Sequence, residues 1–237
     1  MDGTNNLIVS TAGVENIVAR LDPVPILAVD TETDGLDPYK SNVLLFQIGD
    51  LETQYIVDCR KASIEPLRGI LESDKPKVLQ NAKFDYKMIK HAFRIEMENM
   101  IDVMLIEQAL TSGLSGKRYG LADIAEIYLG ARLDKSEQQS FIRHSGDFTE
   151  SQLEYARNDL IYPLQILKKQ MKSVIDAGLQ HTAKLECLAV SVFGDIEYNG
   201  IFLDKEKWCA LLEEEKTKKE EARKKLMELP GIGQKTA

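Results

Sequence analysis

The chain has 237 residues, 38 of them Asp or Glu against 30 Lys or Arg, for a formal net charge of −8. Its 43% hydrophobic and 29% charged residues are a globular composition and exclude a disordered tail. The acidic balance argues against a protein that coats duplex through many Lys/Arg–phosphate contacts, but leaves room for a nucleic-acid enzyme whose carboxylates hold cations. Cys59, Cys187 and Cys209 are far apart with no CxxC pair, which excludes a disulfide scaffold and a zinc ribbon and suits a reducing, cytoplasmic setting. No apolar run approaches roughly 18 residues, and the N-terminus lacks the basic-then-apolar pattern of a signal peptide, so no membrane association is expected.

In chain order, residues 7–10 read as a short strand. Val14, Ile17, Val18 and Leu21 then fall at the spacing of one helical face. Asp22-Pro23-Val24-Pro25 breaks that helix, and residues 26–30 form a continuous apolar strand ending in an acid. Residues 43–48 and 54–57 are two further strands with a hairpin-type connection between them. A helix over 64–71, a break at Lys75-Pro76, a strand over 77–80 and a helix over 84–93 follow. A weak strand near 100–103 and helices over 105–110 and 121–129 complete an α/β pattern with a mixed sheet.

Thr149-x-x-Gln152 is a capping box opening a long helix to about residue 175. Pro163 has no N–H for the Asp159 carbonyl, which predicts a kink just beyond that residue. From His181 the pattern is a helix, a turn at Tyr198-Asn199-Gly200, a short extended piece and a charged helix from Asp204. The Glu214/Lys218 and Glu220/Lys224 spacings mark that last helix as a solvated one. The change in composition places a boundary near residue 180, dividing a domain at 1–180 from a helical extension at 181–237.

Three segments carry acids suited to joint use. Asp30-Thr31-Glu32 ends the most apolar strand; residues i and i+2 share a face, so Asp30 and Glu32 can hold one cation together. Asn81-Ala82-Lys83-Phe84-Asp85 turns a buried strand into a helix, where the dipole favours Asp85 and aims it at the same sheet edge. Tyr155 and Asp159, four apart in the capped helix, point the same way. Four such carboxylates make a pocket for two divalent cations, and hard oxygen ligands suit Mg²⁺ or Mn²⁺ rather than zinc. Two cations about 4 Å apart would stabilise the attacking and leaving oxygens of an in-line phosphoryl displacement. Tyr155 is placed to orient the attacking water. Each segment alone is commonplace; their combination and order are not.

Together these segments resemble the three motifs of the DEDD exonuclease superfamily, in its tyrosine-containing branch. Leu133-Asp134-Lys135-Ser136-Glu137-Gln138 is similar to the stretch preceding the third motif there. The resemblance spans about residues 7–178. It implies an RNase H-like fold, a mixed five-stranded sheet flanked by helices, and 3′–5′ exonuclease activity. It also implies that Asp30, Glu32, Asp85 and Asp159 hold two metals while Tyr155 positions water. Two departures stand out: Phe141-Ile142 occupy a place where many relatives have Trp, and Pro163 is unusual so near the third motif.

The segment from Asp195 to Asp204 is similar to the connection after the exonuclease domain of family A, DNA polymerase I-type enzymes. It implies proofreading of a single-stranded DNA 3′ end, by a monomer with a covalently linked polymerase domain for which this chain has no room. An RNase D-type exoribonuclease and a non-catalytic nucleic-acid clamp are the alternatives, and the complete acid set argues against the clamp. Thr31, Leu36, Asn81 and Phe84 are expected against substrate. Leu36, Phe84 and Tyr39 would pack on the terminal base or sugar, with core packing the competing reading for Leu36 and Phe84. Lys83, Lys87, Lys117 and Arg118 read better as solvated surface than as phosphate contacts. Gly113 to Arg118 lacks the spacing of a phosphate loop, and His91, His144 and His181 suggest no triad. Residues 229–237 resemble the hairpin of a helix-hairpin-helix module, weighed evenly against a simple helix stop.

Overall fold

The computed structural model describes residues 7–134, 136–142 and 144–229; the residues resembling a hairpin lie outside these from 230 onward, as does Lys135. Six strands form one sheet: β1 (Leu7–Ile8), β2 (Leu27–Thr33), β3 (Val43–Gly49), β4 (Gln54–Asp58), β5 (Lys77–Leu79) and β6 (Met100–Asp102). Their order is β1-β4-β3-β2-β5-β6. The central β2–β3–β4 pairs are antiparallel, and β1, β5 and β6 join in parallel. The mixed α/β sheet expected from sequence is present, and all six strands read in chain order form, one more than the five-stranded sheet that the resemblance implied. At one edge is β1, whose Leu7 and Ile8 pair with Ile56 and Val57. It stops short of residue 10 because the Ser10 hydroxyl accepts the Gly13 N–H at 3.2 Å and starts a helix instead.

The helices are α1 (Thr11–Leu21), α2 (Arg68–Leu71), α3 (Ala82–Phe93), α4 (Val103–Leu110), α5 (Leu121–Leu129), α6 (Glu150–Asp176), α7 (Gln180–Asn199) and α8 (Lys205–Met227). Val14, Ile17 and Leu21 of α1 and Ala82, Tyr86 and Ile89 of α3 bury against Phe46, Ile48 and Leu79 on one face of the sheet. On the other face α6 sets Leu153 and Ala156 against Leu45 and Ile56, and Leu160 and Leu167 against Ala28 and Val78. Because both faces are covered, β3 is buried along its whole length, which is why it is apolar apart from Gln47. The β3–β4 hairpin needs Gly49, since a Cβ there would run into the Thr53 carbonyl.

The capping box of α6 forms as expected: the Thr149 hydroxyl accepts from the Gln152 backbone N–H at 3.2 Å and the Gln152 side-chain Oε1 from the Thr149 backbone N–H at 3.0 Å. The helix continues through a buried Pro163 to Asp176. Gln170 of α6 donates to the Val103 carbonyl and to Glu107, at 3.0 and 3.1 Å, locking α4 beneath it.

The chain's contacts separate a unit ending at Tyr198 from one beginning at Asn199. The compositional change near 180 therefore falls inside the first unit, because α7 is not a free linker. Cys187 and Val190 are buried in the core, and a Cβ on Gly194 would come within 2.6 Å of the Tyr86 ring. In the second unit, Asp204 caps α8 by accepting from Lys207 N–H at 3.1 Å, and Glu214 pairs with Lys218 at 2.7 Å. No helix among the described residues is long and apolar enough to cross a membrane.

Candidate active site

β2 runs on to Thr33, so Asp30 and Glu32 sit within the strand and not at its end. Their shared face is crossed by α6, which brings Asp159 over them. One carboxylate oxygen each from Asp30, Glu32 and Asp159 lie within 4.8 Å of one another. Tyr155, one helical turn before Asp159, lines the same cavity of about 510 Å³.

Asp85 also lines that cavity but is not one of the three clustered acids. It is 2% exposed, and its Oδ1 accepts a 2.6 Å hydrogen bond from the Thr31 hydroxyl. The turn that delivers Asp85 is built by Asp102, a residue outside the three acidic segments. Asn81 adopts a left-handed conformation with φ of 62°. The Asp102 carboxylate accepts from the N–H groups of Asn81 (3.1 Å) and Ala82 (2.9 Å) at the start of α3, and of Met104 (2.9 Å) in α4. An Asp before a helical run is a readable cap signal; that it caps two helices is not.

Of the expected substrate contacts, Leu36 stands 84% exposed on the cavity rim, while Asn81 and Phe84 line the wall. Thr31 is buried, its hydroxyl committed to Asp85. Tyr39 is not brought to the cavity lining: its ring stacks on Tyr198 at 5.1 Å, and its hydroxyl donates to the Tyr198 carbonyl. Lys83 and Lys87 both pair with Glu197. Phe141, where relatives were expected to carry Trp, is buried 6.3 Å from the Tyr155 ring. Gln139 and Ile142, neither of which was expected against substrate, complete the wall. A second cavity of about 420 Å³ shares Tyr155 and Asp159 and extends toward Arg132 and Asn158.

Gathering acids away from water has the expected electrostatic result. Burial, and then repulsion from Asp85, Asp159 and Glu32, raises the Asp30 carboxyl well above the usual range. Burial followed by Asp159 and Asp85 does the same to Glu32. Burial pushes Asp85 up to about 7 against the hydrogen bond from Thr31, and Asp159 up to about 7 against one from Tyr155. Burial and the neighbouring acids also raise the Tyr155 phenol, so it stays protonated. Like charges held together in a partly closed cavity are relieved by a cation. An all-oxygen donor set without His or Cys fits a hard divalent ion.

A family model described as a 3′–5′ exonuclease matches residues 6–176. DNA polymerase I of Aquifex aeolicus is 33% identical over 168 residues, covering 70% of this chain and 27% of the polymerase. Ribonuclease D of Cronobacter turicensis is 29% identical over 163 residues, covering 68% of this chain and 43% of that protein. Among solved structures, Escherichia coli RNase D, an exoribonuclease involved in structured RNA processing, superimposes with a TM-score of 0.71 at 25% identity. That match covers 79% of this chain and 50% of the other. The chain thus spans less than half the length of the two curated relatives. The family match covers most of the chain and includes every acid of the site: the chain belongs to the 3′–5′ exonuclease family.

Proposed function

We propose that this chain shortens a single strand of DNA from its 3′ end, hydrolysing the terminal phosphodiester and releasing nucleoside monophosphates. The observation that carries the reading is the convergence of Asp30, Glu32 and Asp159 in one cavity with Asp85 and Tyr155. These four acids are assigned to hold two divalent cations, Mg²⁺ or Mn²⁺. When bound, such cations stabilise the charge that develops on the attacking and leaving oxygens. The protonated Tyr155 hydroxyl orients the attacking water. Leu36 and Phe84 grip the last nucleotide without reading its sequence, and the exposed Asn81 side chain offers it hydrogen bonds. Thr31 acts by placing Asp85 rather than by touching substrate.

Proofreading beside a covalently linked family A polymerase domain is the biological setting we assign, for a monomeric cytoplasmic protein. The polymerase I relative and the connector between Asp195 and Asp204 support it. The structural likeness to RNase D favours a second reading, an exoribonuclease. Digestion of 5′-labelled DNA and RNA strands of one sequence, with Mg²⁺ or Mn²⁺, separates the two. A 3′-shortening ladder that forms faster on DNA is expected. Faster RNA loss would select the exoribonuclease, and no ladder on either polymer would leave only a binding clamp.

A further inference from the structure

Gln47 lies in the middle of β3 and is 0% exposed. Neither the oxygen nor the nitrogen of its amide meets a hydrogen-bond partner among the described residues. A primary amide taken from water with no partner is unfavourable, and an apolar side chain of similar shape would sit there more comfortably. The position of Gln47 in the sheet suggests why an amide is present.

In the antiparallel pairing of β2 with β3, Gln47 stands directly opposite Asp30. Directly opposed residues send their side chains to one face, with Cβ atoms about 5 Å apart. That face is the one covered by α6. Leu45, two residues before Gln47, and Ile56, its partner on β4, both pack with Leu153 and Ala156 of that helix. The amide therefore lies beneath the helical turns that carry Tyr155 and Asp159, next to the first acid of the site.

We propose that Gln47 is a positioning residue for Asp30: its amide nitrogen donates through one enclosed water to the Asp30 carboxylate and fixes the rotamer that offers an oxygen to a divalent cation. An amide suits the task because it supplies N–H donors without adding charge to an already acidic cavity. The proposal rests on the reading of Asp30 as a cation ligand. Hydrogen-bond partners that orient a metal ligand typically change metal affinity or activity about 10- to 100-fold when removed.

Gln47→Leu and Gln47→Met test this in the full chain, because they delete the amide and nearly preserve its volume. Three readouts are needed: Mn²⁺ binding by calorimetry or electron paramagnetic resonance, the thermal midpoint, and kcat and KM on a labelled single strand. The metal-free thermal midpoint should hold or rise, since an unpartnered amide has left the core. The Mn²⁺ dissociation constant should rise about tenfold and kcat fall by a similar factor, with KM for the strand unchanged. Wild-type Mn²⁺ affinity and kcat in both variants would overturn the proposal. So would a sharp drop in thermal midpoint alongside lost Mn²⁺ binding, which would make the amide a structural prop. If the wild type binds Mn²⁺ but cuts no strand, the exonuclease reading fails while the Mn²⁺ comparison still decides the role of Gln47.

Discussion

The Thr31 hydroxyl donates to Asp85 Oδ1 at 2.6 Å, joining residues 54 positions apart at the floor of the acidic cavity. Thr31 points away from the face shared by its neighbours Asp30 and Glu32, as strand alternation requires. It thereby ties the strand that carries two acids to the helix that carries a third.

Thr31→Val keeps the shape and removes the donor. A hydrogen bond to a buried charged group contributes about 1.5–3 kcal/mol, so cleavage should fall about tenfold, while Thr31→Ser stays near wild type. Steady-state rates on a labelled strand check this. Equal rates for the Val and Ser variants would separate the hydroxyl from the chemistry.

Asp30→Ala and Asp159→Ala should each abolish cleavage and weaken Mn²⁺ binding, because each removes one of three clustered oxygens. Tyr155→Phe should slow cleavage about 100-fold, within the range expected for losing a group that handles the reacting water. Its pH–rate profile should keep the wild-type shape, since the phenol is held protonated by burial and by its acidic neighbours. A missing titration limb in that variant would mean Tyr155 serves as a base.

The raised carboxyls make a pH prediction with a definite sign. Asp85 and Asp159 are each pushed up to about 7 by burial. A carboxyl whose folded value exceeds its unfolded one holds its proton more tightly when folded. Its stabilisation is fully present below the unfolded value and is lost as pH rises through the folded one. Metal-free protein should therefore lose thermal stability between about pH 4 and about pH 7, and saturating Mg²⁺ should flatten that slope. Glu197, held low by Lys83 and Lys87, acts in the opposite sense and loses its stabilisation as pH falls. A flat metal-free profile would count against the burial of these acids.

Asp102 is the residue whose loss should be felt most in the scaffold. It is 1% exposed and accepts from three backbone N–H groups at the starts of two helices. Asp102→Ala should destabilise the fold by about 3 kcal/mol, combining a lost cap with buried unsatisfied donors. Asp102→Asn, which retains one acceptor, should lose about 1 kcal/mol. Denaturant unfolding of both variants measures the difference, and equal stabilities would refute the double cap.

Relationships within a single element were legible from residue order. The two-residue repeat of a strand puts Asp30 and Glu32 on one face, the four-residue repeat of a helix aligns Tyr155 with Asp159, and Thr149 with Gln152 announces the start of α6. Relationships between elements were not. Spacing has no term for which strand lies beside β2, so the placing of Gln47 opposite Asp30 came only with the sheet order. The same holds for α7, which composition assigned to an extension and which the close fit of Gly194 against Tyr86 returns to the first unit.

The acidity of the chain divides along the same line. Residue order established an acidic, globular chain with carboxylates on one strand and two helices. Tertiary structure decided that Asp30, Glu32 and Asp159 crowd within 4.8 Å of one another while Asp85 is held aside by Thr31. Periodicity acts along one strand or one helix, whereas the repulsion that calls for a cation arises only when packing brings separate elements together.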